Sequence, residues 1–284
     1  MAPIRIVFLT FLTMAAFAAN SLFCRLALRL GEIGAADFTL LRIASGALTL
    51  ALLLRLRSGG EAVRRGDWPS ALALFAYAAA FSYAYLDLTA ATGALLLFGV
   101  VQVTMIGYGL HRGERFSRRQ WLGFAAACAG LVGLLLPGLT APPMGGALLM
   151  AVAGLAWGIY SLRGRRQGGD PTAVTAGNFL RAVAPALVLA ALQRLLAGAV
   201  PVSATGVAYA LASGVLASGL GYALWYRVLP ALQAGSAATV QLSVPPLAAI
   251  GGVLLLGEAA TPRLILASLA ILGGIALVLR KGRG

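Results

Sequence analysis

Apolar runs of about twenty residues recur almost end to end along this chain, and that recurrence limits the folds open to it. Ten can be drawn: Ile4–Phe23, Phe38–Leu54, Trp68–Leu86, Ala90–Leu110, Trp121–Leu136, Met144–Leu162, Val174–Leu192, Ala204–Tyr226, Ala234–Leu256 and Leu264–Leu279. None shows the period-two alternation of a membrane-spanning strand, so the spans are read as helices. Of the 284 residues, 60% are hydrophobic and 11% charged, where a soluble domain carries roughly 25% charged residues. The expectation is an all-α integral membrane protein of ten transmembrane helices, with nothing left over for a soluble domain.

The net charge of +14 would suggest a nucleic-acid partner in a soluble protein. Here the arginines cluster between the apolar runs, where they meet anionic lipid and set orientation, and no nucleic acid is expected. With a cytoplasmic N-terminus, sixteen Arg and Lys fall in inside segments and four outside. Both termini are therefore expected in the cytoplasm, which requires an even number of spans. The first twenty residues also have the outline of a signal peptide, with Arg5, an apolar stretch and A-A-F-A-A, but they open a polytopic pattern and read better as a retained span. Cys24 and Cys128 imply neither a disulfide framework nor a metal site, and no cofactor is expected.

The chain repeats itself. Gly-Glu occurs at Gly113-Glu114 and Gly257-Glu258, 144 residues apart. At that offset, nine of 28 positions match without a gap between Asp87–Glu114 and Ala231–Glu258. Leu41-Arg42 matches Leu180-Arg181 at an offset of 139, again without a gap through Ala51 and Ala190. The expected organisation is two five-helix repeats, 1–140 and 141–284, within one membrane domain. Five spans is an odd number, so the second repeat is inverted. Inverted repeats are a transporter architecture, with substrate held near the midplane beside interrupted helices. Pro245 and Pro246 fall mid-span in the ninth segment, just after Gln241 and Ser243, and read as a helix break or gating joint.

Ala18–Leu28 (A-A-N-S-L-F-C-R-L-A-L), the L-L-R at Leu40–Arg42 and the paired Gly-Glu motifs resemble the drug/metabolite transporter superfamily, EamA type. Within it, N-S-L-F-C-R-L-A-L is most similar to the YddG-type amino acid exporters. The resemblance implies ten spans in inverted 5+5 repeats. It also implies a central cavity formed mainly by spans 1, 3, 4, 6, 8 and 9, and export of amino acids, other metabolites or drugs from a bacterial inner membrane.

The candidate substrate contacts are polar or aromatic residues at depth: Asn20, Tyr77, Phe81, Phe98, Gln102, Trp157, Tyr160, Gln241 and Ser243. Gln102 and Gln241, on repeat-related spans, are the preferred pair flanking one pocket. Each amide could instead fix one helix to another, since an unsatisfied amide in hydrocarbon is costly. Tyr85 reads as an interfacial anchor, and Tyr160 can be read the same way. Arg42 and Arg181 are near enough to span ends to snorkel and are assigned structural roles, as are Glu114 and Glu258, which would fix the turns after spans 4 and 9. Small residues in spans 5 and 10, such as Gly130 and Gly274, suit close packing between repeats or in a dimer, and monomer versus homodimer stays open.

None of the eight acids lies in the middle of a span, which points to facilitated diffusion or loosely coupled export unless Asp87 or Glu258 couples at the rim. The alternative function is a multidrug or organic-cation exporter, against which the missing deep carboxylate counts. With no P-loop, no H-E-x-x-H and a single histidine, His111, the chain is not expected to be an enzyme.

Overall fold

The computed structural model describes residues 3–58, 65–113, 115–136, 141–164, 169–198, 200–228 and 240–279. All regular structure among them is helical, in ten rods. These are α1 (Pro3–Arg29), α2 (Ala35–Ser58), α3 (Trp68–Ala84), α4 (Ala90–His111), α5 (Arg118–Leu135), α6 (Met144–Gly164), α7 (Pro171–Ala197), α8, α9 (Val244–Leu256) and α10 (Pro262–Leu279). The α8 rod joins Ala204–Ala212, a π-helical stretch Ser213–Leu220 and Gly221–Val228. Six rods are long and apolar enough to cross a membrane on their own. Their outer faces carry large apolar side chains, such as Leu48, Leu52 and Leu56 on α2 and Leu187, Val188 and Leu195 on α7, all exposed. Faces like these suit lipid tails, and the protein is a multi-pass membrane protein.

The interior is built largely from small residues, including Ala71, Ala78 and Ala84 of α3 and Ala173, Ala182 and Ala186 of α7, which let backbones approach closely. The tightest seam joins α5 to α10. A Cβ built on Gly123 would sit 2.5 Å from the Gly274 carbonyl oxygen, and one on Gly130 would sit 2.8 Å from the Ile271 side chain. The small residues of spans 5 and 10 therefore pack on one another within the chain. Other close partners are α2 with α7, α3 with α6 and α7, α4 with α6 and α9, α1 with α8 and α9, and α2 with α8.

Side-chain ties close both ends of the bundle. Where α1 finishes, Arg29 Nη1 donates to Leu256 O (2.6 Å) at the last turn of α9, and Arg25 donates to the carbonyls of Tyr85 and Leu86 (2.9 Å each). Glu258 accepts from Ala90 N at 2.8 and 3.1 Å, capping α4, and lies 3.5 Å from Arg25 Nε. It thus binds α1, α4 and the end of α9 together rather than only fixing its own turn. Arg194 pairs with Asp37 at 2.9 Å on the same side. At the opposite end, Asp67 caps α3, pairs with Arg163 of α6 at 3.1 Å, and meets Asn178 of α7 through its backbone N–H. Arg181 donates to Arg65 O (2.8 Å), a structural contact. Glu114 lies outside the described residues.

One expectation is corrected here. Tyr85 is not at an interface: it is fully buried, its hydroxyl donates to Ala90 O (3.3 Å), and its ring meets Phe81 edge-on. Pro245 and Pro246 stand directly after the expected helix break. They occupy the first turn of α9, after Ser243, where the missing N–H groups would have no helical acceptor anyway. The interruption lies just before them, at the Leu242-Ser243 turn, where Ser243 N donates to Val240 O (3.0 Å).

Candidate functional site

Helices α1, α2, α3, α4, α6 and α8 converge on one interior cavity, completed by Gln241 ahead of α9. The space in it open to a water-sized sphere is about 30 Å³, so in this state its walls lie close together. The wall is aromatic and continuous. Tyr77 lies 5.5 Å from Phe81 and 4.8 Å from Trp157, centroid to centroid; Trp157 lies 5.3 Å from Tyr222, and Tyr222 lies 5.7 Å from Phe17. Phe98 and Leu97 of α4 and Ala217 of α8 add apolar surface.

A polar cluster faces this wall. Asn20 Nδ2 donates to the Tyr77 hydroxyl (3.3 Å), and its Oδ1 accepts from Ser213 (2.6 Å). Arg42 Nη2 donates to the same Tyr77 hydroxyl (2.9 Å), and its Nε donates to Ser218 (3.3 Å). The Arg42 guanidinium sits 5.0 Å from the ring centroid of Tyr77 and 4.9 Å from that of Phe81. It is 3% exposed, and its Nη1 is buried without a hydrogen-bond partner. No described carboxylate lies within ion-pair distance of it. An isolated buried ion loses several kcal/mol of hydration, roughly, and cation–π contact returns only part.

Close packing delivers this cluster. A Cβ on Gly46 of α2 would lie 2.8 Å from the Phe179 ring, and one on Gly219 of α8 would lie 2.7 Å from the Thr49 side chain. Gly214 lies against the Arg42 carbonyl and the Ser45 hydroxyl. The π-helical stretch, which widens the turn by one residue, carries both serines that reach across.

Of the residues expected at the site, Asn20, Tyr77, Phe81, Phe98, Trp157 and Gln241 line the cavity. Tyr160 is buried behind Trp157, its ring 5.4 Å away. Gln102 is buried in α4 but does not reach the lining, because four residues carry it about 6 Å along the axis past Phe98. Gln102 and Gln241 therefore do not flank one pocket. Ser243 points outward and its hydroxyl donates to Val240 O (2.7 Å). Arg42, assigned a structural role, lines the cavity instead of snorkelling, and it brings in α2, which the family resemblance had placed outside. Phe17, Ser21, Ser218 and Tyr222 complete the lining. Phe17, Asn20 and Ser21 share one face by helical spacing, a signal that could have found Phe17.

Residues 144–280 match the EamA-like transporter family. Uncharacterized protein PA1977 of Pseudomonas aeruginosa is 60% identical over 253 residues, which cover 89% of this chain and 86% of that protein. A protein of known crystal structure, 19% identical, shares the fold with a TM-score of 0.66 over 96% of each chain. The second half of the chain thus carries an EamA-like transporter family domain.

Proposed function

We propose that this protein is a secondary transporter that exports small metabolites, amino acids with apolar or aromatic side chains among them, by alternating access around the central cavity. It sits in the bacterial inner membrane, and the motif at Asn20–Leu28 supports a likeness to the YddG-type amino acid exporters. The single observation that carries this reading is the cavity itself, enclosed at the meeting of α1, α2, α3 and α4 with α6 and α8. Residues from both halves of the chain build one pocket, as a pair of rocking repeats requires.

The helix packing supports an inverted repeat. Exchange α1 with α6, α2 with α7, α3 with α8, α4 with α9 and α5 with α10. The pairs α2–α7, α4–α9 and α5–α10 then map onto themselves, while α3–α6 maps onto α1–α8, α4–α6 onto α1–α9 and α3–α7 onto α2–α8. All of these pairs pack. The arginine bias favours an orientation with the end tied by Asp67 and Arg163 in the cytoplasm and the end tied by Arg25 and Glu258 outside.

Flux through purified protein in proteoliposomes tests the reading. Labelled methionine, threonine, leucine, phenylalanine and tryptophan are offered beside a labelled organic dication, with and without a pH gradient. Amino acids are expected to equilibrate without regard to the gradient. Dication flux alone, or flux that needs the gradient, overturns it in favour of a drug exporter.

A further inference from the structure

We propose that Arg42 is the docking point for a carboxylate of the transported molecule. The substrates are then small organic acids with apolar or aromatic bodies, and the amino group is not what the site reads. The proposal deepens the transporter reading, on which it rests for its route but not for its binding chemistry.

The geometry is that of a half-used guanidinium. Nη2 is held by Tyr77 and Nε by Ser218, and the planar group lies against the rings of Tyr77 and Phe81. These contacts fix its orientation on a side chain that lines the cavity, while Nη1 is buried with nothing to donate to. The described acids with assigned partners are engaged elsewhere: Glu258 with Arg25 and the start of α4, Asp37 with Arg194, Asp67 with Arg163, and Asp170 at the start of α7. A carboxylate accepting from Nη1 supplies the missing acceptor and the missing charge together, and Arg is the residue suited to such a planar contact.

The surroundings set the rest of the ligand. Phe17, Trp157 and Tyr222 offer ring faces to an apolar body. No described acid lines the cavity, so an ammonium finds no counter-charge among the described residues and a lone amine meets the repulsion of Arg42. A phosphate dianion, facing one guanidinium and no second cation in the lining, is poorly balanced.

The test is calorimetric titration of the purified full chain with four probes: phenylalanine, 3-phenylpropionate, phenethylamine and inorganic phosphate. Phenylalanine and 3-phenylpropionate are expected to bind within about tenfold of each other, and the amine and phosphate not to bind. Arg42→Met is expected to weaken acid binding about 30-fold or more, the loss of one charge-assisted contact, and Arg42→Lys to fall between. If Arg42→Met fails to fold, the four probes on the unaltered protein still decide. The proposal is overturned by amine binding as tight as acid binding, by unchanged acid affinity in both variants, or by no acid binding at all. It is also overturned if chloride raises the thermal stability and blocks no probe, which would make Arg42 a structural halide site. Acid binding through Arg42 with no acid flux in proteoliposomes sinks the transporter reading alone; amino acid flux that ignores Arg42 substitution sinks this one alone.

Discussion

Replacing Glu258 by Ala should release the end of the bundle where α1 finishes. The carboxylate accepts the Ala90 N–H with both oxygens, at 2.8 and 3.1 Å, and lies 3.5 Å from Arg25 Nε, with a side chain only 6% exposed. At that separation and an effective dielectric of about 20, the Coulomb attraction is roughly 5 kcal/mol before desolvation is subtracted. A charge-assisted hydrogen bond contributes about 1.5–3 kcal/mol net, and desolvation cancels most of the ionic part. A net of about 2–3 kcal/mol therefore favours the state in which α1, α4 and α9 are tied. If those helices part on opening, removing the tie shifts the population toward the open state by roughly 30- to 150-fold. The assay is labelling of Ala217→Cys, a cavity-lining position, in a background without Cys24 and Cys128, using a membrane-impermeant maleimide applied from the Arg25 side. Glu258→Ala should raise the labelling rate by about that factor. Glu258→Gln, which keeps an acceptor for Ala90 but loses the charge, should give an intermediate rise. A labelling rate unchanged in Glu258→Ala, in protein that folds normally, refutes the assignment of this tie as a gate.

Three further outcomes follow from local geometry. Gly274→Val puts a side chain against the Gly123 carbonyl in the α5–α10 seam and should destabilise the protein by about 1–3 kcal/mol, read as a lowered Tm, while Gly273→Val, which meets nothing within 4 Å, should be near neutral. Burial opposes the charge of Asp67, but the Ser70 N–H, the Ser70 hydroxyl and Arg163 outweigh it and hold its carboxyl below the ordinary range. Its stabilisation is thus present above the unfolded-state value and disappears as pH falls through the depressed one, so Asp67→Asn should flatten the acid limb of Tm against pH. Pro246→Ala, at an exposed first-turn position of α9, should change stability by less than about 1 kcal/mol and leave flux intact, whereas a kink-forming role predicts lost flux in folded protein.

What was legible in the sequence is what hydropathy and spacing encode. Apolar run length gave the helices, and Tyr77 with Phe81, four apart, gave the aromatic wall. Boundaries were less legible because helices outlast apolar runs: α1 continues through Arg25 and Arg29, whose long side chains leave the helix for backbone carbonyls. The prolines marked the break but not which side of it they occupy, because a first-turn proline and a mid-helix proline look alike when Leu242-Ser243 gives no break signal in composition. The snorkelling expected of Arg42 failed for a different reason. Depth along α2 suggested that it could reach an interface, but whether it does depends on which face is buried, and that is decided by α8. The π-helical turn at Ser213–Leu220, which brings Ser218 to the guanidinium, depends on tertiary packing and has no clear sequence mark.

Arg42 also bears on how transport is driven. Among the described residues the lining contains one fixed positive charge, Arg42, and no acid to take up a proton in alternation with substrate. When the cavity is empty, closing it desolvates an unpaired guanidinium; when a carboxylate is bound, closing it desolvates a neutral pair. A lone buried ion loses several kcal/mol of hydration, roughly, and a difference of only about 1.4 kcal/mol between the two closures makes the loaded carrier reorient tenfold faster than the empty one. Exchange should then outrun net export. Proteoliposomes loaded with labelled phenylalanine should release it about fivefold faster or more when unlabelled phenylalanine or 3-phenylpropionate is present outside, and phenethylamine should not accelerate release. Efflux indifferent to an external acid would mean that the empty cavity closes as easily as the filled one, and that the Arg42 charge is met by something other than the substrate.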